Sequence, residues 1–578
     1  MPPIDRALRI ANCSGYYGDR PSAALEMVSG GPIDVLTGDY LAELTMLILW
    51  KDRQRNPDGG YAASFLLHMR DVLGECLSRG IKVVVNAGGL NPAGLAAALR
   101  GLAAKAGLHP SVAYLEGDDL LPRLDSAPIR HITTGQPLSD APFTPITANA
   151  YLGSWGIAAA LTAGADVVIC GRVSDASLVV GPSAWAFGWA LDDWDRLAGA
   201  VAAGHILECG AQATGGNYSF FTEIADPVRP GFPIAEMAPD GSCVITKHPG
   251  TGGAVTVETV TAQLLYEIGA PAYLNPDVVA HFDTLAVTPD GPDRVRVSGT
   301  RGGPAPADLK VTVNYQGGYR NTARFQLAGL DLDAKARFAE AAARDALGSA
   351  YDSVDVHRDG DRLTVTVKGS DEALIGRGFF TAIAGTALSS YPGLYLDDAS
   401  PRATAYGVYW PALVPADEIA AQVVMPDGRR IDVPEPPRAD AAESPAPPIP
   451  PAQPIPPAAP VTLDGPTVST PLGRLAGARS GDKGGDANVG IWVRSDAAWD
   501  WLRTALTVDW LRTALPDAAA LEVSRYELAN LRAVNFVVHG LLGEGVAAST
   551  RPDPQAKSLG EVLRAVPIEI PEALLNQS

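Results

Sequence analysis

Four positions carry side chains able to move a proton and lie where an enzyme would use them: Asp39, Asp175, His205 and Glu208. Asp175 closes Gly171-Arg-Val-Ser-Asp175, which directly follows the apolar run Ala165-Asp-Val-Val-Ile-Cys170. That run is rich in β-branched residues and too short for a comfortable helix, so it reads as a strand buried on both faces of a parallel sheet. Ligands of open α/β sheets bind at the carboxyl ends of strands, where Arg172, Ser174 and Asp175 would be presented. Arg172 offers a planar fork for phosphate or carboxylate, and Asp175 a base or an orienter for that fork. An Arg172–Asp175 ion pair capping the next helix explains the same spacing equally well. His205 and Glu208 lie in Gly204-His-Ile-Leu-Glu-Cys-Gly-Ala-Gln-Ala-Thr-Gly-Gly-Asn217, where Gln212, Thr214 and Asn217 crowd a Gly-rich chain. Buried polar side chains must each be satisfied, so this density points to a site, with Glu208 a sharper acid/base candidate than His205. Helix capping is the plain explanation of either, as it is of Asp39 beyond the strand Ile33-Asp-Val-Leu36.

Candidate binding residues are spread more widely. Asn86-Ala-Gly-Gly-Leu-Asn91 follows the strand Ile81-Lys-Val-Val-Val85, and Gly88 and Gly89 permit close backbone approach while Asn86 and Asn91 add uncharged amides. This turn is a candidate oxyanion or phosphoryl cradle, or an ordinary β-α turn. Lys247, near Gly250-Thr-Gly-Gly253, and Asn217 are further candidates for holding substrate. So are Asp482, Lys483, Asp486 and Asn488 in Gly481-Asp-Lys-Gly-Gly-Asp-Ala-Asn488, expected as a loop that completes the site from the same or a neighbouring subunit, or as a charged turn. The loop Ser14–Ser22 lacks the glycine spacing of a dinucleotide fingerprint. The eight His and five Cys do not cluster at ligand spacings, so no metal is expected.

The elements that must position these residues alternate strand and helix through the first half of the chain. The expected fold is α/β, a doubly wound, mainly parallel sheet over residues 7–278. Within it, helices are expected over Ala148–Gly164, with Tyr151 and Trp155 on one face, and over Leu191–Gly204, with Val255-Thr-Val257 as a strand. Period-two patterns at Val295–Gly299, Leu309–Tyr315 and Arg362–Lys368 indicate an α+β part over 279–433. Residues 434–460 hold 12 Pro in 27 and read as an extended linker. A separately folding, ferredoxin-like α+β domain is expected over 468–566. Its near-duplicate segments Asp500–Leu506 and Asp509–Leu515 are expected as two helices broken near Thr507-Val508.

Forty-five Lys+Arg against 65 Asp+Glu give a net charge of −20, which disfavours nucleic acid and anionic membranes as partners. No 18-residue apolar run and no secretory leader is visible, and the cysteines are scattered, so a cytoplasmic protein without disulfides or membrane insertion is expected. Large α/β proteins of this kind are commonly homo-oligomers of even number.

Asn86–Pro92, Gly171–Asp175, Gly204–Gln212 and Gly481–Asn488 together resemble the acyclic terpene utilisation A (AtuA) family, over residues of about 7–430 and, for its ferredoxin-fold companion, 470–566. The resemblance implies a place in citronellol and geraniol breakdown, whose intermediates are branched acyl-CoA thioesters. The function it implies is a lyase or hydratase acting next to a CoA thioester, with coenzyme A as part of the substrate and no separate cofactor. A non-catalytic acyl-CoA-binding or assembly subunit is the alternative.

Overall fold

The computed structural model describes residues 4–439 and 465–575. Leu8–Asn12, Val35–Gly38, Lys82–Val85, Val167–Ile169 and Val112–Glu116 lie side by side in that order, and every adjacent pair is parallel. Among the described residues these five form the centre of an eleven-stranded sheet. They are near-continuous apolar runs because helices cover them. The rest of the sheet is antiparallel. Pro233–Met237, Cys243–Lys247, Val295–Ser298 and Ala286–Pro289 extend one edge, and Gln422–Val424 and Arg430–Asp432 the other. The expected mainly parallel sheet is therefore parallel only at its centre, and the molecule is mixed α/β.

The expected division near residue 278 does not match the sheets. Ala286–Pro289 and Val295–Ser298 belong to the large sheet, whereas Arg130–His131 and Pro145–Ala150 belong to a second, seven-stranded sheet. That sheet is built on the 19-residue strand Asp308–Gln326 and its antiparallel partner Thr404–Pro415. Two further expectations change. The expected helix Ala148–Gly164 is split into strand Pro145–Ala150 and helix Trp155–Thr162, which puts Tyr151 just past a strand end. Val255-Thr-Val257 leads into helix Val257–Leu264, because the Thr256 side chain accepts from the Thr259 N–H and caps its start. Short apolar runs do not separate strand from helix by periodicity alone.

Of the expected linker, 440–460 lies outside the described residues, while 434–439 is seated on the main body. The Ala439 N–H donates to the Ala305 carbonyl, and Arg438 donates to the carbonyls of Pro276 and Pro306. The C-terminal part has a four-stranded antiparallel sheet ordered Gly477–Lys483, Asp486–Trp492, Ala533–Val538, Val523–Leu528. Helices Asp496–Ala505 and Val508–Ala514 break between Leu506 and Thr507, where Thr507 caps the second by accepting from the Trp510 N–H. Alternation sorts the strand Asp486–Trp492 cleanly. Ala487, Val489 and Ile491 enter the tail's own core, while Asn488 meets Leu265 and Trp492 joins the core of the main body. Among the described residues no helix is long and apolar enough to cross a membrane.

Candidate functional site

The carboxyl ends of the central strands converge on one guanidinium. Arg172, three residues past Val167–Ile169, is 2% exposed, donates to Asp175 Oδ1 at 3.1 Å and to the Leu41 carbonyl at 3.3 Å, and stacks 4.1 Å over the Tyr151 ring. Its Nε has no partner. Asp39, just past Val35–Gly38, accepts the Asn86 amide at 2.6 Å and the Leu41 N–H at 3.0 Å. Asn86, past Lys82–Val85, accepts the Tyr40 N–H with its side-chain oxygen. Burial and the neighbouring Asp175 raise the Asp39 carboxyl well above the usual carboxylate range, more than Arg172 lowers it. Asp175 is raised too, by burial first, against the pull of Arg172.

A second charged pair faces this one. Helix Glu43–Arg55 presents Glu43, which accepts Tyr151 Oη at 2.7 Å and Lys310 Nζ at 3.0 Å. Burial acts to raise Glu43, but Lys310 and Arg172 hold it far below the usual range, so it is ionised. Lys310 comes from the long strand Asp308–Gln326 and lies 4.7 Å over Tyr151 and 5.9 Å from the Tyr409 ring centre. Burial is the largest influence on Glu43, Asp175 and Lys310, yet their side chains keep 26%, 28% and 35% of their accessible area. Groups so surrounded by protein and still accessible line a cavity that solvent reaches rather than a packed core.

Helix Trp194–Leu207 delivers His205, with Glu208 as its C-cap. Glycine at 204 makes this possible, since a Cβ there would lie 2.7 Å from Ala176 Cα and its carbonyl oxygen, so the helix runs against the residue after Asp175. Gly204→Ala is expected to cost about 1–3 kcal/mol by overpacking against backbone, read as a lower urea midpoint with unchanged slope. His205 Nδ1 approaches Glu208 Oε1 at 3.0 Å without hydrogen-bond alignment, and its ring packs on Tyr273 and Phe282. Burial and Lys483 push His205 down to about 3, so it is neutral at pH 7. Burial and Asp175 raise Glu208 well above the usual range, and its Oε2 has no partner.

The tail closes the cavity. Gly481-to-Asn488 is not a loop between strands but a hairpin, Gly477–Lys483 and Asp486–Trp492, turning at Gly484-Gly485 beside Tyr409. Lys483 Nζ donates to the Glu267 carbonyl at 2.9 Å, and burial lowers it. Asp482 is pushed up to about 7 by burial and Glu43, and its Oδ1 has no partner. Asn488 is the clamp: its amide donates to the Leu265 carbonyl at 2.8 Å and to Asn535 Oδ1 at 3.0 Å, and its oxygen accepts the Glu267 N–H at 3.0 Å. Asn488→Ala strands these buried groups and is expected to cost about 1–3 kcal/mol, seen as faster proteolytic release of the tail than in wild type.

Asp39, Arg172, Asp175, His205, Glu208, Asp482 and Lys483 thus come together, with Asn86 and Asn488 supporting them. Others do not join them. The N–H groups of Gly88, Gly89, Leu90 and Asn91 donate to the carbonyls of Cys170, Asn86, Gly60 and Gly88, so none of these four is left for an oxyanion. Asn91 caps helix Pro92–Lys105. Lys247 binds Asp293 and the Thr251 carbonyl on the antiparallel edge. Asn217 is an exposed turn residue with φ 55°, and Asp486 accepts from His539 and the Gly540 N–H. The residues that the sequence did not single out as site candidates are Tyr151, Glu267, Tyr273, Lys310, Tyr409, Arg479 and Lys557. Lys310 and Tyr409 lie on alternating strands where an outward lysine is ordinary, so no local signal marks them.

The family model described as acyclic terpene utilisation family protein AtuA matches residues 8–425, and that described as AtuA ferredoxin-like domain matches residues 470–569. A search of curated proteins finds no match. The first match spans most of the chain and contains every main-body residue of the cavity, and the second contains the hairpin that closes it. The chain therefore belongs to the acyclic terpene utilisation family AtuA.

Proposed function

We propose that the protein is an enzyme of acyclic terpenoid or branched-chain acyl-CoA catabolism, catalysing hydration, dehydration or C–C cleavage next to a thioester. The observation that carries the reading is the Glu208 carboxyl, raised by burial and by Asp175 beside a neutral His205, within a cavity that also holds Arg172 and Lys310. Two carboxyls whose surroundings differ can divide acid and base duties. In the dehydrating direction Asp175 takes a proton from the carbon next to the carbonyl, and Glu208 gives its proton to the departing hydroxyl, which leaves as water. In the hydrating direction both transfers reverse. Arg172, Lys310 and Lys483 supply positive charge for the enolate oxygen that develops.

Thermal stability against a small panel tests this reading: free CoA, geranyl-CoA, a 3-hydroxy-3-methylglutaryl-type CoA ester, NAD and NADP. A ligand at 100 times its dissociation constant stabilises the folded state by about 2.7 kcal/mol. The expected result is a raised melting point with an acyl-CoA and none with the dinucleotides, followed by product formation seen by mass spectrometry. A shift with NAD alone contradicts the reading, and an acyl-CoA bound tightly but returned unchanged marks a binding subunit.

A further inference from the structure

Three cations of the tail meet the main body with too few carboxylates to neutralise them. Arg479 is 6% exposed, lies 4.4 Å over the Tyr266 ring, and its only side-chain hydrogen-bond partner among the described residues is the neutral Gln212 side chain. A guanidinium carries five N–H donors, so most of this fork is unspent. Lys557 Nζ lies 4.4 Å from the same ring centre and donates to Glu267 Oε1 at 3.2 Å. Lys483 Nζ has the Glu267 carbonyl and the Tyr273 ring at 5.6 Å. Among the described residues the Lys557–Glu267 pair is the only ion pair that the three cations make.

Buried charge is ordinarily paired, because an unpaired ion in a low-dielectric setting costs several kcal/mol. Of the three cations Arg479 is the buried one, Lys557 is partly exposed and Lys483 is exposed, so the cost of an unpaired ion falls on Arg479, whose guanidinium pKa burial lowers. Burial raises the nearby Glu208, Glu267 and Asp482 carboxyls, which weakens the compensation they offer, and of the three only Glu267 pairs with one of these cations. Access is retained: Lys557 keeps 37% of its side-chain area and Glu267 31%, although burial is the largest influence on both. Glu267 itself, the hinge of the cluster, sits at φ 55°, a conformation a non-glycine residue adopts at some cost and keeps when its surroundings over-determine it.

We infer that Arg479, Lys483 and Lys557 form the seat of an anionic ligand group, a phosphate or a carboxylate, at the junction of tail and main body. The planar fork of Arg479 holds the anion in a fixed orientation while the two ammonium groups add charge. The inference deepens the reading above by naming the charge of the ligand, and rests on it only for the ligand's identity.

Isothermal titration of the full chain with pyrophosphate, free CoA and glutarate tests it without requiring turnover. At least one of these is expected to bind wild type, with affinity falling about tenfold or more in both Arg479→Gln and Lys557→Gln, and within about twofold of wild type in Lys247→Gln. Binding of pyrophosphate and CoA without glutarate assigns the seat to a phosphate, and binding of glutarate assigns it to a carboxylate. Lys557→Gln, at a partly exposed site, guards against misfolding in the Arg479 variant. The inference is overturned if none of the three anions binds, or if both variants bind as wild type does. Neither outcome touches the acid/base reading, and loss of turnover with anion binding retained would fault that reading alone.

Discussion

Arg172→Met should destabilise the protein by about 3–5 kcal/mol at pH 7, because removing one member of a buried charge cluster strands the others. Arg172 is the shared counter-charge of Asp39, Glu43 and Asp175, and Tyr151 stacks on it. Met preserves much of the volume, so the loss reports charge more than cavity. Arg70→Met, which breaks the exposed, solvent-screened pair with Asp71 at 3.0 Å, should cost far less. Urea denaturation of the two variants side by side makes the comparison, and equal losses would refute the view that Arg172 holds the site together. The deficit should shrink as pH falls, since protonation of Asp39 and Asp175 removes the charges left uncompensated.

Glu208→Gln should lower turnover about 10²–10⁴-fold while leaving substrate affinity within a few-fold, the range general acid–base groups contribute. Gln keeps the shape and neutrality of the protonated carboxyl and loses only the proton it can give. A variant that binds poorly but turns over normally once saturated would instead make Glu208 a substrate contact. Stability carries a second signature. A carboxyl whose folded-state pKa lies above its unfolded value stabilises most below the unfolded value, and that contribution is lost as pH rises toward the folded one. Glu208→Gln should therefore flatten the decline in stability above about pH 4.5.

The parts of the site that were legible in the sequence share a cause. Asp39, Asn86, Arg172 and Asp175 follow apolar β-branched runs that end abruptly, and a parallel strand's carboxyl end is where α/β sheets expose side chains. His205 and Glu208 stand at the boundary of helix Trp194–Leu207 and Gly-rich chain, a change that local composition shows. Lys310 and Tyr409 lie far from these in the chain and reach the cavity only through pairing of Asp308–Gln326 with Thr404–Pro415. Glu267 acquires its role from the docked tail, whose Asn488 and Lys483 bind its backbone. The parallel centre of the large sheet was readable for the same reason as the strand ends. Its antiparallel edges were not, since Gln422–Val424 reaches the sheet from more than 250 residues beyond its neighbour Val112–Glu116.

Isotope-edited infrared difference spectra of wild type against Glu208→Gln, with Glu carboxyls labelled, report the protonation of Glu208 directly. The expected result is a neutral carboxyl band at pH 7 that vanishes in the variant and converts to carboxylate only at higher pH. A carboxylate band already present at pH 7 would contradict the assignment of Glu208 as the acid of the site.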